Sequence, residues 1–303
     1  MKNLNKLFVS VDVDEWYQCR WATGSKNSIW PSIPRFFKQV YNQDGPIGEL
    51  IRPIKKILQF FDEIGFKSTF FFTGYIAKLY PKIVSEIADN GHEIGCHNYH
   101  HLDYGLINEK KFNDHLLSSK KLLEDLSGTK VQGYRSPNSS IPPYLVNSLL
   151  SNDFNYDSSV TPTRSIFGKF GEFTNSPQFP YITSNQNIGV QGDSGLLEIP
   201  WASFPILKTP AGSGITHRIF GNLYNSIATK YSLRKGTCSY YFHPYEVDEY
   251  ISYKSITNIK FPFKVKIFMK NIGEEYFKNL KRFLLKYKNR LINGSSLYAE
   301  YRV

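Results

Sequence analysis

Short apolar runs alternate with helix-like segments through the first half of this 303-residue chain. The first of these runs, 7–11, is continuously apolar, as expected of a strand buried on both faces. The strand-like runs are 7–11, 67–73, 93–96 and 131–134, and the helix-like segments are 49–64, 81–90, 108–126 and 142–150. Such alternation predicts an α/β fold in which parallel strands are joined by helical crossovers.

The second half of the chain is less regular. Residues 196–199 and 237–242 are further strand candidates, and 272–291 has the apolar spacing of an amphipathic helix that closes the chain. A long irregular stretch, 15–48, interrupts the first half and is of the length that loops with a function reach. No repeat or linker divides the sequence, so we expect one domain over 1–303, with 254–303 as a basic C-terminal extension packed on it.

The net charge of +11 is concentrated near the C-terminus. Residues 254–290 hold eleven Lys or Arg against two Glu, a balance of +9, so the remaining chain is nearly neutral. This pattern argues against a nucleic-acid-binding protein. The three cysteines are widely spaced, which argues against a disulfide framework or a zinc finger. With no run resembling a signal-peptide core or a membrane span, we expect a cytoplasmic protein, with peripheral attachment at the inner membrane face as an alternative.

Two histidines follow the strand-like run 93–96. His97 and His101 are four residues apart, a spacing at which two imidazoles can converge on one cation if the backbone turns helically. Neutral imidazole is the commonest metal ligand in proteins. A structural histidine pair would produce the same spacing, so a metal site requires a further ligand.

Charged side chains end three other strand candidates. Asp12 and Asp14 end the first, Arg135 follows 131–134, and His243 follows a very apolar run. The carboxyl ends of parallel strands meet at one edge of a sheet, where active sites lie. One aspartate could bind a metal while the other acts as a base that Arg135 holds ionised. Taken singly, each residue could instead serve as a turn cap, a structural ion pair or a core histidine.

Together these residues resemble the polysaccharide deacetylases with NodB homology, carbohydrate esterase family 4, over roughly 5–250. The matching stretches are Ser-Val-Asp-Val-Asp-Glu-Trp (10–16), His-Asn-Tyr-His-His (97–101), Arg-Ser-Pro (135–137) and Phe-His-Pro-Tyr-Glu-Val-Asp (242–248). Tyr-Asp-Ser-Ser (156–159) or Trp201 stands in for the family's fourth motif. The tryptophan after the first motif and the His-Pro-Tyr-Glu element are similar to the subgroup found in exopolysaccharide and surface-polysaccharide gene clusters.

This resemblance implies a distorted (β/α) barrel of about seven parallel strands, here followed by a C-terminal amphipathic helix. It implies one divalent metal ion, most simply zinc, bound by Asp14, His97 and His101. The family's first motif usually has adjacent aspartates, so Glu15 is an alternative to Asp14 as the third ligand.

The resemblance also implies catalytic roles for side chains beside the metal. Asp12, oriented by Arg135, would be the base that takes a proton from the attacking water. His243 would protonate the leaving amine, and a backbone N–H near Asn138 would help to hold the oxyanion.

The expected reaction is removal of an N-acetyl group from an amino sugar or glycan in bacterial surface-polysaccharide biosynthesis, on a substrate that is free or carried on a polyprenyl diphosphate lipid. Two alternatives are the same chemistry on an N-formyl sugar or other small amide or ureide, and an inactive carbohydrate-binding module.

Two surface features yield further hypotheses. Trp16 and Trp21 are the aromatic residues nearest the first motif, and we expect them, with Trp201, to contact the sugar; filling a small core under the loop is the alternative. The basic segment 254–290 could hold the protein at an anionic membrane, since each basic residue near such a surface contributes about 1 kcal/mol. Ordinary solvated surface is the alternative for its Lys and Arg side chains.

Overall fold

The structure is a computed structural model that describes residues 5–18, 32–45, 48–165, 171–248 and 263–302. The strands within those ranges are β1 (Leu7–Val13), β2 (Thr69–Phe72), β3 (Glu93–Cys96), β4 (Gly133–Tyr134), β5 (Tyr156–Asp157), β6 (Tyr181–Ile182), β7 (Leu197–Glu198), β8 (Cys238–Phe242) and β9 (Leu291–Ile292). The helices are α1 (Ile33–Tyr41), α2 (Ile51–Glu63), α3 (Gly74–Leu79), α4 (Pro81–Asp89), α5 (Glu109–Ser127), α6 (Leu145–Leu150), α7 (Gly214–Lys235), α8 (Phe263–Phe268), α9 (Glu274–Lys286) and α10 (Gly294–Tyr301).

The strands form one curled sheet with the order β6-β7-β5-β4-β3-β2-β1-β8, and β9 pairs with β1 beside this path. The neighbours along the path are parallel except β6 and β7. The predicted distorted (β/α) barrel is confirmed. The described residues form nine strands rather than about seven, because β6 and β9 have two residues each and are too short to leave a pattern in the sequence.

Side chains of β1 alternate between two cores. Leu7, Val9 and Val11 lie in the large core between the sheet and the helices. Phe8, which points to the other face, belongs to a smaller core inside the curled sheet. This period of two places Asp12, four residues after Phe8, on the inner face at the carboxyl end of the strand.

The end of the chain closes the floor of the barrel. The sequence predicted one amphipathic helix over 272–291 that closes the chain. The predicted carboxyl end of this helix is wrong, because α9 stops at Lys286 and is followed by β9 and α10. The backbone N–H of Ser295, in the first turn of α10, donates to the buried carboxylate of Glu93 at 3.0 Å. Tyr156 donates to the same carboxylate at 2.9 Å.

The predicted apolar face of the C-terminal helix is confirmed where α9 exists. Tyr276, Leu280, Phe283 and Leu284 are buried against the rest of the fold. The stretch 15–48, predicted as irregular, contains the helix α1, which Ser32 caps through its side chain. The helical spacing of α1 was not recognised in the sequence, because the aromatic residues of this stretch were interpreted as part of a binding loop.

Candidate metal centre and acid–base site

The carboxyl end of β1 places two aspartates at the rim of the barrel. Asp12 lies one residue before the end of the strand, opposite Phe71 of β2. The backbone N–H of Asp14 then donates to the carbonyl oxygen of Asp12 at 2.8 Å, a tight turn that ends the strand. Both side chains are almost completely buried, at 3% exposure each. Buried carboxylates require charged or hydrogen-bonding partners, and the neighbouring strands supply them.

Both histidines reach Asp14 from the end of β3. Asn98, which has a left-handed backbone (φ 57°), turns the chain between them. The distance from Asp14 Oδ2 to Nε2 is 3.0 Å for His101 and 3.7 Å for His97. One ligand atom from each of the three residues lies within 4.8 Å of the others, so the group could hold a metal ion.

The surroundings of this group fix the orientation and the protonation of its side chains in a way that suits cation binding. His97 Nδ1 donates to the carbonyl oxygen of Arg135 at 2.7 Å, which fixes the ring and leaves Nε2 directed at Asp14. Burial lowers the pKa of His97 despite the nearby carboxylates of Asp14 and Asp12, so the ring is neutral, as a ligand must be. Burial alone would raise the pKa of Asp14, but His101 and His97 lower it below its usual range.

Two buried atoms of the group have no hydrogen-bond partner in the described part of the chain. They are Asp14 Oδ1 and His101 Nδ1. Buried polar atoms are nearly always paired, so each exception needs an explanation. An oxygen and two nitrogens with spare coordination positions form the donor set of catalytic zinc sites. The residues present therefore fit a divalent ion, and Asp14 is the carboxylate that the structure brings to the histidines.

Glu15, the alternative third ligand, points away from this group. Its Oε1 accepts a 2.6 Å hydrogen bond from the hydroxyl of Tyr80. Burial raises the pKa of Glu15 to about 8, although the Tyr80 bond opposes the shift. The carboxyl group is thus protonated and engaged at neutral pH. His100, next to the second ligand, packs against His115 with a 5.3 Å ring separation instead of facing Asp14.

Asp12 forms an ion pair with Arg135 inside the barrel. Arg135 Nη1 donates to Asp12 Oδ1 at 2.5 Å and to Ser10 Oγ at 2.9 Å. Its Nε and Nη2 donate to the carbonyl oxygen and the hydroxyl of Ser158. The guanidinium also lies 4.4 Å from the centre of the Phe71 ring. Arg135 is completely buried, so these contacts hold the carboxylate of Asp12 in one orientation.

His243 approaches Asp12 from the opposite side, because β8 and β2 flank β1. Its side chain is 19% exposed, so a ligand can reach it. The Nδ1 atom of His243 is 3.3 Å from Glu246, whose other oxygen is 2.8 Å from Arg218. Burial lowers the pKa of His243, but Glu246, Asp12 and Asp14 together raise it above the ordinary value.

Sequence reasoning missed Glu246 and Arg218 as partners of His243. Both are buried, and Arg218 also donates to the carbonyl oxygens of Phe268 and Lys270. Glu246 was visible within the His-Pro-Tyr-Glu element, three residues after the histidine, where a short helical turn brings side chains together. Arg218 left no comparable signal, because its pairing with Glu246 depends on the packing of α7 against β8.

The two tryptophans predicted to contact the substrate, Trp16 and Trp21, are not both placed by the structure. Trp16 is 1% exposed, and its indole N–H donates to Tyr41 and Glu49, so it lies in the aromatic core behind α1 and does not face a sugar. That part of the prediction is wrong, because the turn after β1 directs the ring inward. Trp21 lies outside the described residues.

Asn138 and Trp201 both lie near Arg135. Asn138 has a left-handed backbone (φ 58°) directly after the Arg-Ser-Pro stretch, and its side chain donates to Asp103 at 3.2 Å. Trp201 donates its indole N–H to Ser158 at 2.8 Å and lies beside Arg135. Both candidates for the fourth motif, 156–159 and Trp201, therefore support the same arginine.

The curled, mostly parallel sheet therefore places a possible Asp-His-His metal site and a buried Asp-Arg pair together at the carboxyl ends of its strands. The family model described as polysaccharide deacetylase matches residues 44–156. Over this range the chain is similar to the polysaccharide deacetylase family, which confirms the predicted resemblance. The match includes His97, His101 and Arg135, whereas Asp12 and His243 lie outside it.

A curated relative matches part of the chain. The peptidoglycan-N-acetylglucosamine deacetylase of Bacillus cereus is 34% identical over 94 residues, which are 31% of this chain and 33% of that protein. The chain spans about a third of the length of the curated relatives it matches.

Two solved structures share the fold over nearly the whole chain. A candidate polysaccharide deacetylase from Mycobacterium smegmatis has a TM-score of 0.60 at 18% identity, covering 99% of this chain and 91% of that one. The allantoinase PuuE has a TM-score of 0.59 at 14% identity, covering 97% and 90%. Since the same fold occurs in proteins named for different substrates, the choice of substrate depends on the site.

Proposed function

We propose that this protein is a metal-dependent hydrolase that removes the N-acetyl group from an amino sugar or glycan. The observation that carries the proposal is the convergence of Asp14, His97 and His101 beside the Asp12–Arg135 pair. The family match over 44–156 and the Bacillus cereus relative support a sugar amide as the substrate. The products would be the free amine of the sugar and acetate.

The proposed mechanism assigns one task to each side chain. A divalent ion held by Asp14, His97 and His101, which we propose to be zinc, would supply Lewis-acid activation of water and of the acyl oxygen. Asp12 accepts a proton from the attacking water, and Arg135 keeps that carboxylate aligned. A backbone N–H near Asn138 supports the developing oxyanion.

His243 completes the reaction on the leaving-group side. It donates a proton to the sugar nitrogen as the carbon–nitrogen bond breaks. The raised pKa of His243 favours the imidazolium form that this step requires. Glu246 holds Nδ1 and leaves Nε2 available to the substrate. We therefore propose Glu246 and Arg218 as positioning residues of the acid, and Trp201 as a contact of the sugar.

Substitution of the proposed ligand and of its neighbour should separate their roles. Asp14→Asn should lower the affinity for zinc by more than the roughly 10–100-fold that loss of a supporting hydrogen bond costs. Glu15→Gln should leave that affinity unchanged, because Glu15 is engaged with Tyr80. Metal titration of both purified variants measures the difference. Loss of zinc in Glu15→Gln, with zinc retained in Asp14→Asn, would contradict the assignment.

The reaction itself is tested by acetate release from a panel of N-acetylated sugars and glycans, with N-formylated sugars and a ureide in parallel. We expect acetate release that a chelator abolishes and that added zinc restores. Release of formate alone, or ureide hydrolysis alone, would assign the site to the other substrates. A zinc-loaded protein that binds glycans without cleaving any of them would instead support a carbohydrate-binding module.

The proposed setting is the assembly of bacterial surface polysaccharide, with a glycan on a polyprenyl diphosphate lipid as one form of substrate. Work on such a substrate would bring the enzyme to a membrane surface, and peripheral contact with anionic lipid is part of the proposal. Within the described ranges, no helix is long and apolar enough to span a bilayer. In the basic segment, α9 buries its apolar face and leaves Lys278 and Arg282 exposed.

A further inference from the structure

The outer face of α7 carries an apolar stripe that the described part of the fold leaves exposed. Its residues recur at helical spacing and are exposed to solvent, although a kink at Gly221 interrupts the helix. The stripe consists of Phe220, Leu223, Ile227 and Tyr231. Leu223 is 75% exposed, which is costly for a leucine unless a partner covers it. A contiguous apolar surface of this kind marks an interaction site.

A neighbouring loop extends the same surface. Ile206 and Leu207 are also exposed, at 68% and 51%. Phe204 joins this loop to α7, since its ring lies 6.2 Å from that of Tyr224 and 6.0 Å from that of Tyr231. The hydroxyl of Tyr224 bonds to Thr209 in the loop at 2.8 Å. We call the stripe together with Ile206 and Leu207 the α7 surface.

The segment that forms the α7 surface carries charge of one sign. From residue 199 to residue 245 the sequence contains no aspartate or glutamate and five Lys or Arg. Three of the five, Lys230, Arg234 and Lys235, are exposed at the carboxyl end of α7. The combination of exposed leucine, isoleucine and aromatic side chains with a basic border is typical of segments that lie in the interface of an anionic membrane.

Both parts of the α7 surface are anchored at the candidate site. The loop begins at Trp201, which donates to Ser158 beside Arg135. The helix begins at Gly214, where an added Cβ would lie only 2.1 Å from the carboxylate of Glu246. The amino end of the α7 surface therefore lies beside the candidate site, and its basic carboxyl end leads into the start of β8, at the opposite end of the strands.

We propose that the α7 surface docks on an anionic phospholipid membrane, with the apolar side chains inserted and the basic side chains at the headgroups. The role of this docking rests on the proposed function, since docking would present the candidate site to a glycan linked to lipid. The docking itself requires no catalysis and is measured without it.

The experiment is flotation of the full chain with vesicles of phosphatidylcholine, with and without phosphatidylglycerol, at low and high salt. We expect binding to the phosphatidylglycerol vesicles that weakens as salt rises. Leu223→Ser should bind about tenfold more weakly, because one leucine side chain no longer leaves water. Leu285→Ser is the matched control: this leucine of α9 is 51% exposed among basic residues, and we expect its loss to change nothing.

The charge variants decide which surface makes the contact. Lys230→Glu with Arg234→Glu should weaken binding about 30-fold, at about fivefold per basic residue. Lys278→Glu with Arg282→Glu on α9 should weaken vesicle binding less than the α7 pair does. Equal losses of vesicle binding from the two charge variants, or from Leu223→Ser and Leu285→Ser, would contradict the proposal that the α7 surface makes the contact.

Absence of binding to anionic vesicles would also overturn the proposal. This includes the case in which the chain self-associates through Leu223 instead. Acetate release from a soluble N-acetylated sugar separates this failure from failure of the proposed function. An active enzyme that does not bind vesicles refutes the docking surface alone. A chain that binds vesicles through α7 and releases no acetate refutes the proposed function and leaves the docking surface standing. Thermal unfolding of each variant confirms that it remains folded.

Discussion

Replacing Asp12 by asparagine should lower turnover by about 10²–10⁴-fold, which is the usual contribution of one proton-transfer group. Asparagine keeps the size of the side chain and can still accept a hydrogen bond from Arg135, but it cannot take a proton from water. Zinc content should be unchanged, because Asp14, His97 and His101 converge without Asp12. Turnover and metal content are measured on the same preparation.

Ser10→Ala is the matched control for this experiment. It removes one acceptor of Arg135 at 2.9 Å and leaves the carboxylate of Asp12 in place. Since one hydrogen bond contributes about 0.5–1.5 kcal/mol, turnover should stay within about tenfold of the unchanged protein. Loss of zinc in Asp12→Asn would show that the two aspartates have the reverse roles.

The residues of the candidate metal site could be found from the sequence because each ends a strand with a clear apolar pattern. Parallel strands with helical crossovers place their carboxyl ends at one edge, so Asp14 and the histidines after Cys96 had to come close. The sequence left the choice between Asp14 and Glu15 open. The structure shows Asp14 beside His101 and Glu15 bonded to Tyr80, because the tight turn after Val13 directs the two carboxyl groups to opposite sides.

The parts that could not be predicted depend on contacts between distant segments. The strand β9 has two residues and forms only because the first residues of β1 have a free edge, before the point at which β2 begins to pair. The burial of Trp16 depends on α1, whose Phe36 ring lies 5.0 Å from the indole. Neither leaves a periodic signal in a single sequence. The ion pair of Arg218 with Glu246 belongs to the same class, since the two residues are 28 positions apart.

The Arg218–Glu246 ion pair should be the most sensitive structural support of the site. Arg218→Met should lower the free energy of unfolding by about 3–5 kcal/mol, because it leaves the carboxylate of Glu246 buried without its cation. The carbonyl oxygens of Phe268 and Lys270 would also lose their donor. Lys56→Met removes a partly exposed pair with Glu274 and should cost at most about 1 kcal/mol. Urea unfolding of both variants measures the contrast, and equal costs would show that the buried pair is not a support.

The same pair should determine how the reaction depends on pH. Burial raises the pKa of Glu246, but Arg218 and His243 lower it to about 2, so its contribution to stability is present above pH 4.5 and is lost as the pH falls towards about 2. Glu246 in turn raises the pKa of His243. Glu246→Gln should therefore move the basic limb of the turnover–pH profile to lower pH, because the imidazolium then loses its proton earlier. A lower turnover with an unchanged basic limb would show that Glu246 supports only the fold and does not tune the acid.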